Sequence, residues 1–465
     1  MNKKKKSLIP KKRISEEVDH PTPSGHPSGG GELRTVPKMR FPEFRGKEKW
    51  EMKKLGDCLI KNPEYGINAP AVPYSETLPA YIRITDISDD GHYLKEKKVS
   101  VASIVNEENY LKENDILFAR TGASVGKFYK YTRTDGRLVF AGFLIRVSTN
   151  LNLLKSDYLF QYLFTDNYSK WVKFISTRSG QPGINSKELS SLIIPLPSLP
   201  EQQKIADCLS SLDELITAEN QQLEVLKTHK KGLMQKLFPE DVESSEDGSL
   251  DHPTPSGHPS KGGELRAVPK MRFPEFRGKG KWELKKLGDV AKYENGKAHE
   301  QDIIEVGKYI VVNSKFISTD GEIRKYTNIP FCLAKEGDIL MVLSDVPNGK
   351  AIAKCFVVDK DDLYSVNQRI CKITSYNSYS KLLFYILNRN IYFLKFDDGV
   401  KQTNLKNDDV LKFTMLLPPS LPEQQKIADC LSSLDELITA QAKKIELLKT
   451  HKKALLQGLF PGETN

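Results

Sequence analysis

Two loops of this chain bring together residue types that can hold phosphates and read nucleic-acid bases. RTGASVGKFY runs from Arg120 to Tyr129 and SDVPNGKA from Ser344 to Ala351, each directly after an Asp-Ile-Leu run at 115–117 or 338–340. Glycine lets a backbone approach a phosphate closely, and Arg120, Thr121, Ser124, Lys127, Ser344 and Lys350 carry donors suited to phosphate oxygens or base edges. A second polar cluster follows each loop: Arg178, Ser179, Gln181 and Asn185, then Lys401, Gln402, Asn404 and Lys406. Gln and Asn side chains can pair bidentately with adenine, and Arg or Lys with guanine. Taken one at a time, each of these residues reads equally well as the polar surface of a hairpin loop.

Catalytic chemistry is harder to find. Gly122 to Lys127 is one residue short of a P-loop and is followed by Phe128, so the hydroxyl that a magnesium ion would need is missing. Asn62-Pro63-Glu64-Tyr65 is similar to the Asn-Pro-Pro-Tyr of adenine methyltransferases, but Glu64 replaces the second proline and no glycine-rich cofactor loop accompanies it. No Ser/His/Asp or Cys/His arrangement stands out. The six cysteines show no metal-ligand spacing, and His20, His26, His252 and His258 sit in Pro/Gly/Ser-rich stretches as linker composition. The reading is a noncatalytic chain without a metal site or a cofactor of its own.

A net charge of +10 over 465 residues favours a polyanionic partner, because Lys and Arg that neutralise phosphates release counterions. The basic start MNKKKKSLIPKKR has no apolar core like that of a signal peptide, and no run approaches 18 apolar residues. With free thiols, this predicts a cytoplasmic protein that does not span a membrane.

The elements that must position the polar loops are set by repeats. PSLPEQQKIADCLSSLDELITA occurs unchanged at 197–218 and 419–440. Pro200 and Pro422 suit the first helical turn, and Glu201 and Glu423 suit the positive end of the helix dipole. From there apolar residues recur at spacings of three and four over about five heptads, the seam of a coiled coil. The first seam is Leu212, Ile216, Glu219, Leu223, Leu226, Lys230, Leu233 and Leu237; the second is Leu434, Ile438, Gln441, Ile445, Leu448, Lys452, Leu455 and Leu459. Antiparallel pairing with residue numbers summing to 671 sets Glu219 against Lys452 and Lys230 against Gln441, and leaves the other layers apolar. The alternative is that each helix packs on its own domain.

A longer stretch, 19–57, recurs as 251–289 with four changes, while the inserts between the repeats diverge. The expected plan is a basic tail and flexible linker (1–46), a first variable domain (47–198), a first long helix (199–239), a Pro/Gly/Ser-rich linker (240–278), a second variable domain (279–420) and a second long helix (421–461). Both inserts read as α/β (α+β). Strands are predicted at 81–84, 115–119 and 138–147 in the first and at 309–312, 338–343, 351–358 and 369–373 in the second, with helices at 158–164 and 382–387.

The helix entry Leu-Pro-Glu-Gln-Gln-Lys-Ile-Ala, closing each divergent insert downstream of a Gly-Lys loop, resembles the specificity (S) subunit of type I restriction-modification systems over residues 47–461. The resemblance implies two target recognition domains, each reading half of a bipartite site in double-stranded DNA, joined by an antiparallel coiled-coil spacer. It also implies partners: two modification subunits that methylate adenine with S-adenosylmethionine, and restriction subunits that use ATP and magnesium for translocation and cleavage. The interval from Leu212 to Leu237 spans about 38 Å as a helix, close to one DNA turn of roughly 34–36 Å. Three rivals stay open: a recognition subunit of a type IIB-like enzyme, a degenerate DNA methyltransferase or nuclease, and a coiled-coil scaffold.

Overall fold

The strand Asp115–Ala119 is buried at every position and lies inside a four-stranded antiparallel sheet, in the order Glu64–Tyr65, Leu144–Ser148, Asp115–Ala119, Phe128–Lys130. Its continuous apolar character follows from having both faces covered. This is seen in a computed structural model that describes residues 36–177, 183–239, 268–346 and 349–462. The chain forms two units: Met1–Ile216 with Leu447–Asn465, and Thr217–Glu446.

In the first unit a second sheet orders Ala71–Pro73, Val99–Val101, Ala80–Ile82 and Leu138–Phe140, the last two parallel. The run 138–147, expected as one strand, is two strands in different sheets. It breaks at Ala141–Phe143, where the Gly142 amide bonds the Ile67 carbonyl at 2.8 Å. The break requires glycine opposite it: a Cβ at Gly66 would collide with the carbonyl oxygens of Phe140 and Ala141. Between the sheets lie Ile82, Leu117, Tyr129, Phe140 and Leu144.

The second unit repeats this plan with different residues. Its four-stranded antiparallel sheet is ordered Ala291–Asn295, Ile370–Ser375, Ile339–Val342, Cys355–Val357, and Tyr309–Val312 runs parallel to Tyr364–Val366. The predicted strand 351–358 is extended only over Cys355–Val357, and the strand Tyr364–Val366 was not foreseen. Each unit also holds a two-stranded ribbon leading to its long helix, Glu51–Lys54 with Ile193–Leu196 and Glu283–Lys286 with Thr414–Leu417.

The long helices are Leu199–Leu237 and Leu421–Leu459. The first glutamine of each entry motif fastens the helix to its domain. Gln202 accepts from the Lys155 amide at 2.8 Å and donates to the carbonyls of Leu153 and Pro197, and Gln424 accepts from the Tyr379 amide and donates to Pro418. In the first unit Ile205 and Leu209 share a core with Leu456, Leu459 and Phe460, whose ring lies 5.3 Å from that of Tyr158. In the second unit Ile427 and Leu431 share a core with Leu233 and Leu237.

These contacts correct the expected register. Glu219 accepts from Gln441 and Lys444 at 2.6 and 2.7 Å, rather than facing Lys452. Lys452 donates to Asp213 at 2.6 Å and Lys230 to Asp435 at 2.5 Å, pairs whose numbers sum to 665 rather than 671. The physical reason is charge. The seam spacing alone fits registers a heptad apart, and the observed one gives each seam lysine a carboxylate that flanks the facing seam.

Of the expected tail and linkers, residues 1–35 and 240–267 lie outside the described residues, and the remainder is folded. Residues 36–46 and 268–278, assigned to flexible linkers, are packed in their units. Arg40 forks onto Glu201 at 2.7 and 2.8 Å, and the Met39 amide bonds the Gly458 carbonyl. Arg272 likewise forks onto Glu423 at 2.6 and 2.7 Å, and the Met271 amide bonds the Lys236 carbonyl. Glu201 and Glu423, read from the sequence as dipole partners, are buried and neutralised by arginine.

Candidate nucleic-acid interface

In each domain backbone hydrogen bonds bring the first loop beside the described part of the second cluster, about sixty residues away in sequence. In the first unit the Arg120 amide donates to the Phe143 carbonyl at 3.0 Å, and the Arg120 carbonyl accepts from the Ile184 amide at 2.9 Å. In the second unit the Leu343 amide donates to the Arg369 carbonyl at 2.9 Å, and the Leu343 carbonyl accepts from the Leu405 amide at 2.8 Å. The next contacts match too: the Gly66 amide to the Leu144 carbonyl corresponds to the Gly296 amide to the Ile370 carbonyl. One backbone lattice therefore presents different side chains in each unit. Tyr65, Arg120 and Phe143 occupy the places held by Asn295, Leu343 and Arg369.

Among the described residues of the first unit, Arg120 is the best-prepared donor. Its guanidinium carbon lies 4.6 Å from the centre of the Tyr65 ring, its Nη1 reaches the Gly142 carbonyl at 3.5 Å, and its buried Nε has no partner among the described residues. Stacking on tyrosine fixes the plane of the guanidinium and leaves donors for a bidentate acceptor. Thr121 bridges Gly183, at the edge of a short turn containing Ser124. Lys127 pairs with the fully exposed Asp89 at 2.8 Å, a contact worth little in water.

The glycine before Lys127 has a different use from the one the sequence suggested. Gly126 has φ +81° and donates its amide to the Ala119 carbonyl, its carbonyl accepts from the Tyr168 hydroxyl at 2.6 Å, and an added Cβ would strike Val172. It closes a packed turn and is no phosphate cradle. Asn185 caps the helix Ser186–Ser190, its side-chain oxygen accepting from the Glu188 amide at 2.9 Å. Arg178, Ser179 and Gln181 lie outside the described residues.

In the second unit Ser344 pairs with Asn404 across a short ribbon, and the buried Ser344 hydroxyl accepts from Gln402 at 2.7 Å. The loop beyond is shaped by Asp345, whose carboxylate accepts from the amides of Val346, Ala351 and Ile352. Lys350, Lys401, Asn404 and Lys406 are exposed at the rim. The sequence did not single out Phe143, Asn295, Gln368 or Arg369, and it noted Tyr65 only as the end of the methyltransferase-like motif. The signal was present for two of them, since Tyr65 and Asn295 each precede a glycine at the corresponding point of the two inserts.

The methyltransferase-like motif resolves as structure. Burial alone would raise the Glu64 carboxyl, but hydrogen bonds from Lys61 and the buried Arg146 outweigh it and hold it below the usual carboxylate range. Among the described residues no cluster of His, Cys, Asp or Glu could hold a metal ion, and no helix is long and apolar enough to cross a membrane.

Comparison with known proteins gives a consistent answer. The chain is 27% identical over 447 residues to the type I restriction enzyme MjaVIII specificity subunit of Methanocaldococcus jannaschii, covering 91% of this chain and 95% of that protein. The MjaIX specificity subunit of the same organism is 28% identical over 334 residues, covering 66% and 69%. The crystal structure of a type I restriction-modification S subunit from M. genitalium shares the fold, with a TM-score of 0.55 at 14% identity, covering 92% of this chain and all of that one. The family model described as the type I restriction modification DNA specificity domain matches twice, over residues 47–228 and 279–450, and so the chain belongs to the family of type I restriction-modification specificity subunits.

Proposed function

We propose that the two units read the two halves of a split site in double-stranded DNA, one half each. Membership of the family makes the chain a noncatalytic, sequence-recognising subunit of a restriction-modification complex. The observation that carries the finer reading is the matched lattice: identical backbone bonds place Arg120 with Tyr65 and Phe143 in one unit, and Arg369 with Gln368 and Asn404 in the other. A shared scaffold with different donors is what two independent readers require.

The long helices then act as an antiparallel coiled-coil spacer that sets the gap between half-sites. Support comes from the contacts inside each unit, Lys452 with Asp213 and Lys230 with Asp435. The partners are two modification subunits, which bring S-adenosylmethionine, and restriction subunits, which bring ATP and magnesium; this chain holds no cofactor and works in the cytoplasm. The test is long-read mapping of N6-methyladenine in cells carrying the complete system. A split methylated motif is expected, and replacing residues 50–197 should alter one half and leave the other intact. A continuous motif, or a change in both halves, would refute the reading.

A further inference from the structure

The matched lattice exposes one difference in kind between the two readers. At the strand break of the first unit stands Phe143, 59% exposed, more than any other described phenylalanine; its neighbour on the same run, Phe140, is 2% exposed. Its backbone is fixed on both sides, by the Arg120 amide on its carbonyl, by the Gly142 amide on Ile67, and by the Leu144 amide on Ala141 at 2.8 Å. An aromatic ring on a fixed backbone therefore projects beside a tyrosine-stacked arginine whose Nε has no partner among the described residues. At the same place the second unit presents Arg369, with Gln368 before it, both exposed.

Apolar side chains beside basic ones are the means by which proteins unstack a base step and lean on it, and arginine is the means by which they hydrogen-bond guanine. We propose that Phe143 wedges against a base step in the half-site of the first unit, while Arg369 reads its own half-site by hydrogen bonding. This rests on the units being DNA readers. The first half-site is thus selected partly for a deformable step, pyrimidine–purine steps unstacking most easily, and the second by base-edge contacts.

The test uses the full chain assembled with its modification subunits and a randomised duplex library, followed by selected duplexes carrying 2-aminopurine at each non-methylated position of the first half-site. The wild-type complex is expected to brighten 2-aminopurine at one step. Phe143→Ala should abolish that signal, weaken binding about tenfold and relax preference at that step alone, and Phe143→Trp should restore both. Arg369→Ala should relax only the other half-site. Unchanged fluorescence at every position, or unchanged selection by Phe143→Ala, overturns the proposal, as does loss of subunit assembly in that variant, which would make Phe143 a protein contact. If the wild-type complex selects no split sequence, the underlying reading falls first.

Discussion

Removing Arg272 should unfold the second unit at a much lower temperature. The Arg272 guanidinium and the Glu423 carboxylate are 7% and 0% exposed, joined by two bonds of 2.6 and 2.7 Å, and Glu423 also accepts from the Trp282 indole at 3.3 Å. Arg272→Ala leaves a carboxylate buried without its cation, at a cost of about 3–5 kcal/mol. Against a typical stability of 5–15 kcal/mol that loss is large, and for a unit of this size it corresponds to a fall in Tm of about 6–20 °C. Differential scanning calorimetry of the full chain should show the drop in the transition of this unit only. The reasoning has an internal control in Arg272→Met with Glu423→Gln, which removes both charges and keeps an acceptor for Trp282, so it should recover most of the loss. A fall under about 2 °C for the single variant, or a double variant no more stable than the single, would refute the account.

Four further outcomes are expected. Bismaleimide should link Lys230→Cys to Asp435→Cys rapidly and Lys230→Cys to Gln441→Cys slowly, because the second partner lies about 9 Å further along the helix; equal rates on a gel would contradict the register. Gly296→Ala, whose Cβ would strike the Asn367 carbonyl, should lower the urea midpoint by the equivalent of about 2 kcal/mol or more. Gly232→Ala, inside the first long helix with nothing near the new methyl, should instead stabilise by about 0.5–1 kcal/mol. Burial pushes the Cys371 thiol up to about 12 and Cys332 up to about 11, from an ordinary 9.0. The folded unit therefore holds these protons longer than the unfolded chain. The stability they contribute is complete below pH 9 and lost as pH rises towards 11–12, at about 1.4 kcal/mol per pH unit per thiol. The urea midpoint should fall between pH 9 and 11, and less steeply in Cys371→Ala.

Long-range order was legible in the sequence wherever it is written as repetition. The two long helices follow from apolar spacing, and the strands Asp115–Ala119 and Tyr309–Val312 from unbroken apolar runs. Register was not legible, because a heptad pattern matches itself after every seven residues, and the choice falls to Asp213 and Asp435, which lie outside the seam. The role of Glu201 and Glu423 was hidden for a related reason: their arginine partners, Arg40 and Arg272, stand about 150 residues away in a stretch whose Pro and Gly content resembles a linker. For the candidate site, periodicity exposed the loops but not the Phe143 corner, since a strand that changes sheets shows the same apolar run as one that does not. Gly126 was misread because a glycine that a turn requires cannot be told in sequence from one that a phosphate requires.

The paired backbone lattice separates holding from reading. At Phe143 and Arg369 the main chain carries the hydrogen bonds that keep the corner in place, so these two side chains contribute little to folding. Such positions can be randomised at small thermodynamic risk, and new target preferences can arise one residue at a time without passing through an unfolded protein.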